Sequence, residues 1–280
     1  MPEFNDTRLA RPDGPGVAFQ VTASVLAVRE TPAADGRLST QALHGEMLDV
    51  FREEAGFGLV QCRRDHYVGW VSLDGLSAPS LPVTHKVSAL RTYSFAEPHV
   101  KSAPRLLLSL GARVAATGRK QGDWMECERA GWVHERHVSP LDQFETDPAA
   151  VAARYMEAPY LWGGRESLAL DCSGLVRQAF EACGVLLPRD SDMQEAWAGQ
   201  PVTGWQSPGA LRRGDLVFWD GHVGILTSPD TLLHANAYHL GVASEPLADA
   251  IARIRPVAGE VTSVRRVALT PQAVPDWLAA

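Results

Sequence analysis

Blocks of positive charge are absent from this chain. Its 26 Lys and Arg are scattered among 33 Asp and Glu, and the net charge is −7. Neutralising phosphates requires a basic footprint, so no nucleic-acid partner is expected. The same shortage excludes docking on an anionic membrane surface. No apolar run approaches the roughly 18 residues of a spanning helix. The start, Met1-Pro2-Glu3-Phe4-Asn5-Asp6-Thr7-Arg8, lacks a basic stretch followed by an apolar core. An export signal is therefore not expected, and the expected address is the cytoplasm. Cysteine is scarce as well: only Cys62, Cys127, Cys172 and Cys183. None stands in a Cys-x-x-Cys pair, so neither zinc nor another cofactor is expected. Disulfides are not expected in a reducing compartment.

What is present is ordinary globular texture, 45% hydrophobic and 21% charged, in 280 residues. That length accommodates two or three domains. Residues 21–78 and 83–141 read as two copies of one unit. The first holds Gly45-Glu46-Met47-Leu48-Asp49-Val50, Phe57-Gly58-Leu59-Val60-Gln61-Cys62 and Tyr67-Val68-Gly69-Trp70-Val71. The second holds Gly111-Ala112-Arg113-Val114-Ala115-Ala116, Asp123-Trp124-Met125-Glu126-Cys127 and Ala130-Gly131-Trp132-Val133. Short alternating apolar runs between Gly-containing turns predict a small β-barrel for each. Cys62 and Cys127 occupy matching places and read as buried strand residues. Ala130 reads as the counterpart of Tyr67, which makes one copy functional and the other structural. Pro79, Pro82 and Pro140 mark the joins. The expected domains are an arm (1–20), two barrels (21–80 and 81–142) and a C-terminal domain (143–280).

After Pro140 the pattern changes. Asp147-Pro148 caps an Ala-rich helix predicted to run to Met156. A loop, Pro159-Tyr160-Leu161-Trp162-Gly163-Gly164, precedes a helix from about Asp171 to Cys183, closed by Gly184. Ser191-Asp192-Met193-Gln194 fits a capping box opening a third helix. Strands are then predicted at 216–219, 222–227 and 231–236. Helices followed by antiparallel strands give an α+β domain.

Cys172 opens the second helix. A helix N-terminus offers partial positive charge and free N–H donors, which favour a thiolate and suit an oxyanion. The small Ser173 and Gly174 give a substrate access to the backbone. His222 and His234 follow on predicted strands. With a three-residue loop, Ser228–Asp230, His222 pairs opposite Asn236 and His234 lies on the diagonal, about 7–8 Å away on the same face. A two-residue loop would put the histidines on opposite faces. A helix-opening cysteine with paired imidazoles is the equipment of cysteine acyl transfer.

Five motifs, in order over about residues 146–260, resemble the NlpC-type bacterial cell-wall cysteine peptidases. They are Tyr160-Leu161-Trp162-Gly163-Gly164, Asp171-Cys172-Ser173-Gly174-Leu175-Val176, Arg213-Gly214-Asp215-Leu216-Val217-Phe218-Trp219, Gly221-His222-Val223-Gly224-Ile225 and Leu233-His234-Ala235. The resemblance implies a papain-like catalytic domain behind two small SH3-like β-barrels. It implies Cys172 as nucleophile, His222 as general base and His234 as its orienting partner, with Tyr160 beside the nucleophile. The two barrels resemble those of the subfamily that cuts γ-D-glutamyl–diamino acid bonds in free murein peptides. That likeness implies an amine clamp at Glu30, in Val28-Arg29-Glu30-Thr31-Pro32, and at Tyr67. Asp171, Ser173 and Ser191 map onto positions contacting the ammonium or the D-Glu carboxylate. The implied partners are L-Ala-γ-D-Glu-diamino acid peptides, and the implied role is cell-wall peptide recycling. The alternatives are a lytic hydrolase of intact peptidoglycan, a non-catalytic fragment binder and an acyltransferase.

Overall fold

The computed structural model describes residues 6–271, which divide into two compact units at about residue 143. Residues 1–5 of the expected arm lie outside the described residues.

In the first unit, residues 17–77 form a seven-stranded antiparallel sheet. Its order is Leu38–Leu43, Val25–Arg29, Val68–Ser72, Phe57–Cys62, Met47–Glu54, Val17–Val21, Leu76–Ser77. Alternation sets the core: Leu26 and Val28, then Leu48 and Val50, then Val60 and Cys62 all point inward. The strand Val17–Val21 starts inside the segment expected as an arm. It pairs with Met47–Val50 and Leu76–Ser77, so the sheet begins before residue 21. The arm itself is pinned, because Val68 N–H donates to the Arg8 carbonyl (2.8 Å) and the Gln61 amide to that of Leu9 (2.9 Å).

Residues 85–140 repeat this strand order. The run Pro104–Ser109, Arg91–Phe95, Gly131–His134, Trp124–Cys127, Ala116–Gln121 forms one sheet. Arg113–Val114, His85–Val87 and Val138–Pro140 form another. The long fifth strand of the first copy is here interrupted at Ala115. Cys62 and Cys127 are both buried, and burial pushes the Cys127 thiol up to about 12. Superposing the Gly-Trp-Val strands corrects one correspondence. Arg129, three residues before Trp132, takes the place of Tyr67, and its guanidinium bonds Gln20 and the Pro79 carbonyl. The copies also share apolar contacts: Leu43 and Val25 of the first pack into the Val87, Leu108 and Met125 core of the second.

Among the described residues the second unit carries four helices: α1 (Pro148–Ala153), α2 (Cys172–Ala182), α3 (Ser191–Trp197) and α4 (Leu247–Ala258). α1 opens as expected, with Asp147 accepting from Ala150 N–H (3.1 Å) and Pro148 in its first turn, but ends three residues early. The capping box expected at Ser191 does not form. Asp190 is the N-cap of α3, and the Gln194 side chain donates instead to the Pro188 and Ser173 carbonyls. The sheet has six strands: Gln200–Pro201, Ser263–Arg266, Leu216–Trp219, His222–Ser228, Thr231–Asn236 and Gly241–Pro246. Leu247, Ala250 and Ile254 of α4 pack over Val217, Trp219, Leu226 and Leu232. Among the described residues no helix is long and apolar enough to cross a membrane.

Candidate active site

Cys172 is the first residue of α2, buried at 6% exposure. The helix starts there because Asp171 caps it, accepting from Gly174 N–H at 2.8 Å. The second carboxylate oxygen accepts from Gly163 N–H (2.8 Å), which ties the Trp162-Gly163-Gly164 loop to the same cap. Arg189 spans both oxygens (3.0 and 2.8 Å) and donates further to the Ser173 hydroxyl (2.9 Å) and the Gly164 carbonyl (3.2 Å). With Ser173 Oγ also donating (3.3 Å), five bonds fall on the Asp171 carboxylate. A carboxylate has about four lone-pair directions. Asp171 is thus held in a capping role by the chain's own donors. Gly174 is small for a related reason. A Cβ there would stand 2.2 Å from the Gly164 carbonyl oxygen, so the chain's own loop fills the space expected for a substrate.

The histidines meet. His222 Nε2 lies 2.8 Å from His234 Nδ1. The register is the one that a three-residue loop would produce, with Ile225 opposite Leu233, yet the loop is shorter. Ser228 pairs with Thr231, and a bulge between Leu226 and Ser228 absorbs the extra residue. Gly224, opposite His234, keeps the crossing close: a Cβ there would come 2.6 Å from Leu232 and 3.2 Å from His234 Cβ. Beyond His234, its Nε2 lies 2.7 Å from Glu245 Oε1, and Arg253 donates to that same oxygen. Arg253 in turn lies over the Tyr238 ring, 4.4 Å from its centroid.

Electrostatics correct the expectation of a resting thiolate. Burial pushes the Cys172 thiol up to about 12, and the Asp171 carboxylate adds to the rise. Backbone N–H groups of Val223 and Ser173 and the Arg189 guanidinium pull the other way without prevailing. Burial also depresses His222 to about 3 and His234 to about 4, Glu245 opposing the fall at His234. Burial thus favours the neutral form of each group taken singly. The Val223 N–H, next in the chain to His222, faces the sulfur. Desolvation raises the Tyr160 phenol, and Cys172 and Asp171 add to that rise.

A pH dependence of stability follows. Both histidines have folded values below the ordinary 6.5, so the unfolded chain binds protons that the folded chain refuses. Their contribution is complete above pH 6.5 and is lost as pH falls toward 4 and then 3, a change of several kcal/mol. The urea midpoint should drop from pH 7 to pH 4.5, and the drop should shrink in His222→Gln. Equal drops in the two proteins would refute the depressed values.

Ser191 stands half-buried in the first turn of α3. Glu30 and Tyr67 belong to the first unit. Glu30 is exposed, with Arg37 3.6 Å away. Tyr67 is buried, one residue before its strand, and its N–H donates to Asp65 Oδ1 (3.1 Å). Glu245, on the edge strand, and Arg253, on α4, lie beyond the last motif, Leu233-His234-Ala235. The Leu247, Ala250, Ile254 spacing marks α4 and could have located them. Among the described residues, His234, His239 and Glu245 form one group with metal-ligand atoms within 4.8 Å of one another. Both ring nitrogens of His234 are already hydrogen-bonded, to His222 and Glu245, and a metal would have to break that chain.

Comparison with known proteins agrees with this geometry. Residues 157–256 match the NlpC/P60 family, and residues 28–76 match the bacterial dipeptidyl-peptidase SH3 domain. Dipeptidyl-peptidase 6 of Lysinibacillus sphaericus is 25% identical over 177 residues, 62% of this chain and 61% of that protein. The gamma-D-glutamyl-L-lysine dipeptidyl-peptidase of Bacillus subtilis is 33% identical over 116 residues, 37% of each chain. The chain thus spans about three fifths of the first relative and less of the second. An NlpC/P60 family crystal structure from Bacillus cereus shares the fold, with a TM-score of 0.74 at 17% identity over 89% of this chain and 99% of that one. The cysteine at the head of α2, the paired histidines on the sheet and these matches together define an NlpC/P60 domain, papain-like in fold, in a chain that also carries a bacterial SH3 domain.

Proposed function

We propose that the chain is a cysteine peptidase that hydrolyses the γ-D-glutamyl–diamino acid bond of free murein peptides with an unblocked N-terminal L-Ala. The observation that carries the chemistry is the His222–His234 bond together with a helix-opening Cys172, whose sulfur faces the N–H of Val223, next in the chain to His222. In the first step the Cys172 proton passes to His222 Nδ1 as Sγ bonds the γ-carbonyl carbon of D-Glu. The carbonyl electron pair moves onto oxygen, toward the N–H groups of the first turn of α2. As this intermediate collapses, His222 gives its proton to the leaving amine of the diamino acid. Water then attacks the thioester with His222 as base, and L-Ala-D-Glu leaves. Burial that favours the neutral form of each group suits this sequence, because the charges form only as the bond forms.

The substrate assignment leans on the SH3 match, whose domain type is that of dipeptidyl-peptidases, and on the B. subtilis relative's stated bond. An enzyme that counts two residues from an N-terminus must recognise the amine. Glu30 supplies the negative charge and Tyr67 the phenol in this reading, Tyr160 stands beside the nucleophile, and Asp171, Ser173 and Ser191 contact the ammonium or the D-Glu carboxylate. Residues 85–140 act as a second SH3-like barrel with a structural role. An amine gate places the enzyme after an amidase has freed the stem peptide, in peptide recycling.

The test is mass spectrometry with L-Ala-γ-D-Glu-diaminopimelate and its N-acetylated twin. Release of L-Ala-D-Glu from the free peptide alone is expected. Equal cleavage of both would discard the gate and favour a wall hydrolase, and cleavage of neither would discard the peptidase. Glu30→Gln should lower kcat/KM for the free peptide by roughly 10–150-fold, the worth of a charge-assisted bond. Because Glu30 is exposed, its thermal midpoint should stay at the wild-type value. Wild-type kinetics in Glu30→Gln would sink the clamp.

A further inference from the structure

Glu245 stands outside the cysteine and histidine trio, on the edge strand Gly241–Pro246. An ionised carboxylate only accepts hydrogen bonds, and a guanidinium only donates. Arg253 donates to Glu245 Oε1, and His234 Nε2 is 2.7 Å from that same oxygen. Nε2 of His234 must therefore carry the proton. In a neutral ring this leaves a lone pair on Nδ1, the atom that faces His222 Nε2 at 2.8 Å. His222 must then donate from Nε2, and its own lone pair is forced onto Nδ1. Each direction follows from the one before, and all begin at Glu245.

Resting on the peptidase reading above, we propose that Glu245, held by Arg253, is a positioning residue that sets the tautomers of both histidines and makes His222 Nδ1 the basic atom. Glu245 raises the His234 proton affinity and Arg253 opposes it in smaller part, while the hydrogen bonds fix which nitrogen bears the proton. Arg253 has a separate duty. In a serine triad, an amide replacing the carboxylate turns its NH2 toward the ring and reverses the tautomer. Here Arg253 and His234 bond one oxygen, so a glutamine at 245 must present its carbonyl oxygen to both. The amide can turn over only when Arg253 is gone.

That asymmetry makes the test specific. Glu245→Leu should lower kcat about 100-fold, the scale of a lost orienting partner, with KM little changed. Glu245→Gln should stay within about threefold of wild type, and Arg253→Ala should lose about twofold. The double variant Glu245→Gln with Arg253→Ala should fall to the level of Glu245→Leu, well beyond the product of its singles. A merely structural pair would give a product. Thermal unfolding of each variant reports folding, and the near-isosteric glutamine keeps the test alive if leucine misfolds. Independently of turnover, 15N spectra of the imidazoles in Cys172→Ala protein should show His222 and His234 both protonated at Nε2. Glu245→Leu on that background should mix the tautomers. Unchanged tautomers, or a double variant no slower than the product of its singles, would overturn the proposal. If the unaltered chain cleaves neither peptide, the peptidase reading fails, and the spectra still decide the tautomer.

Discussion

Replacing Cys172 with alanine should abolish turnover, by about 10⁴-fold or more, and leave the protein folded. The magnitude follows from losing the covalent route itself: without the sulfur no thioester forms, and water must attack the amide directly. The folding half follows from the cap. Asp171 starts α2 by bonding Gly174 N–H, Gly163 N–H and Arg189, none of which involves the thiol. Alanine is also the best helix former at an ordinary position. The check is single-turnover mass spectrometry on L-Ala-γ-D-Glu-diaminopimelate alongside thermal unfolding. A residual rate near wild type would remove Cys172 from its role. Loss of rate together with loss of fold would show instead that Cys172 packing holds the helix.

The second large effect concerns stability. Arg189→Ala should destabilise the 144–271 unit by about 3–5 kcal/mol, the cost of leaving a buried charge without its partner. Asp171 and Arg189 side chains are 9% and 1% exposed and 2.8 Å apart. Removing the guanidinium leaves the carboxylate in a site that water barely reaches, and also strips donors from Ser173 Oγ and the Gly164 carbonyl. For a unit of this size the thermal midpoint should fall by about 10 °C or more. Arg189→Lys should recover only part of this, because one ammonium cannot span both oxygens. Adding Asp171→Asn to Arg189→Ala should restore some stability by removing the orphaned charge. An unchanged midpoint in Arg189→Ala would mean that the pair contributes nothing. Activity should fall with stability, since the same carboxylate positions the helix that carries Cys172.

These expectations separate what is local in this chain from what is not. The helix starting at Cys172 was legible because its cap, Asp171, is adjacent in sequence and its end is marked by Gly184, with φ at +82°. The internal repeat was legible because period-two alternation and Gly-Trp-Val recur, and residues 17–77 and 85–140 have the same strand order. The match to NlpC/P60 motifs at residues 157–256 likewise rests on contiguous runs.

Other features depended on distant partners. A two-residue turn would set the histidines apart, and only the bulge after Leu226 restores the register that joins them. Asp171 reads in sequence as a free acid, yet Arg189, 18 residues on, bonds both its oxygens. Cys172 reads as an activated thiol from its place on the helix, yet burial raises it to about 12. Sequence by itself determined the kinds of groups and the elements bearing them, because caps, periodicity and turns act over a few residues. Only the tertiary structure decided their protonation, their free lone pairs and the line from His222 through His234 to Glu245. Desolvation and hydrogen-bond direction depend on what lies across space, and the chain does not record that locally.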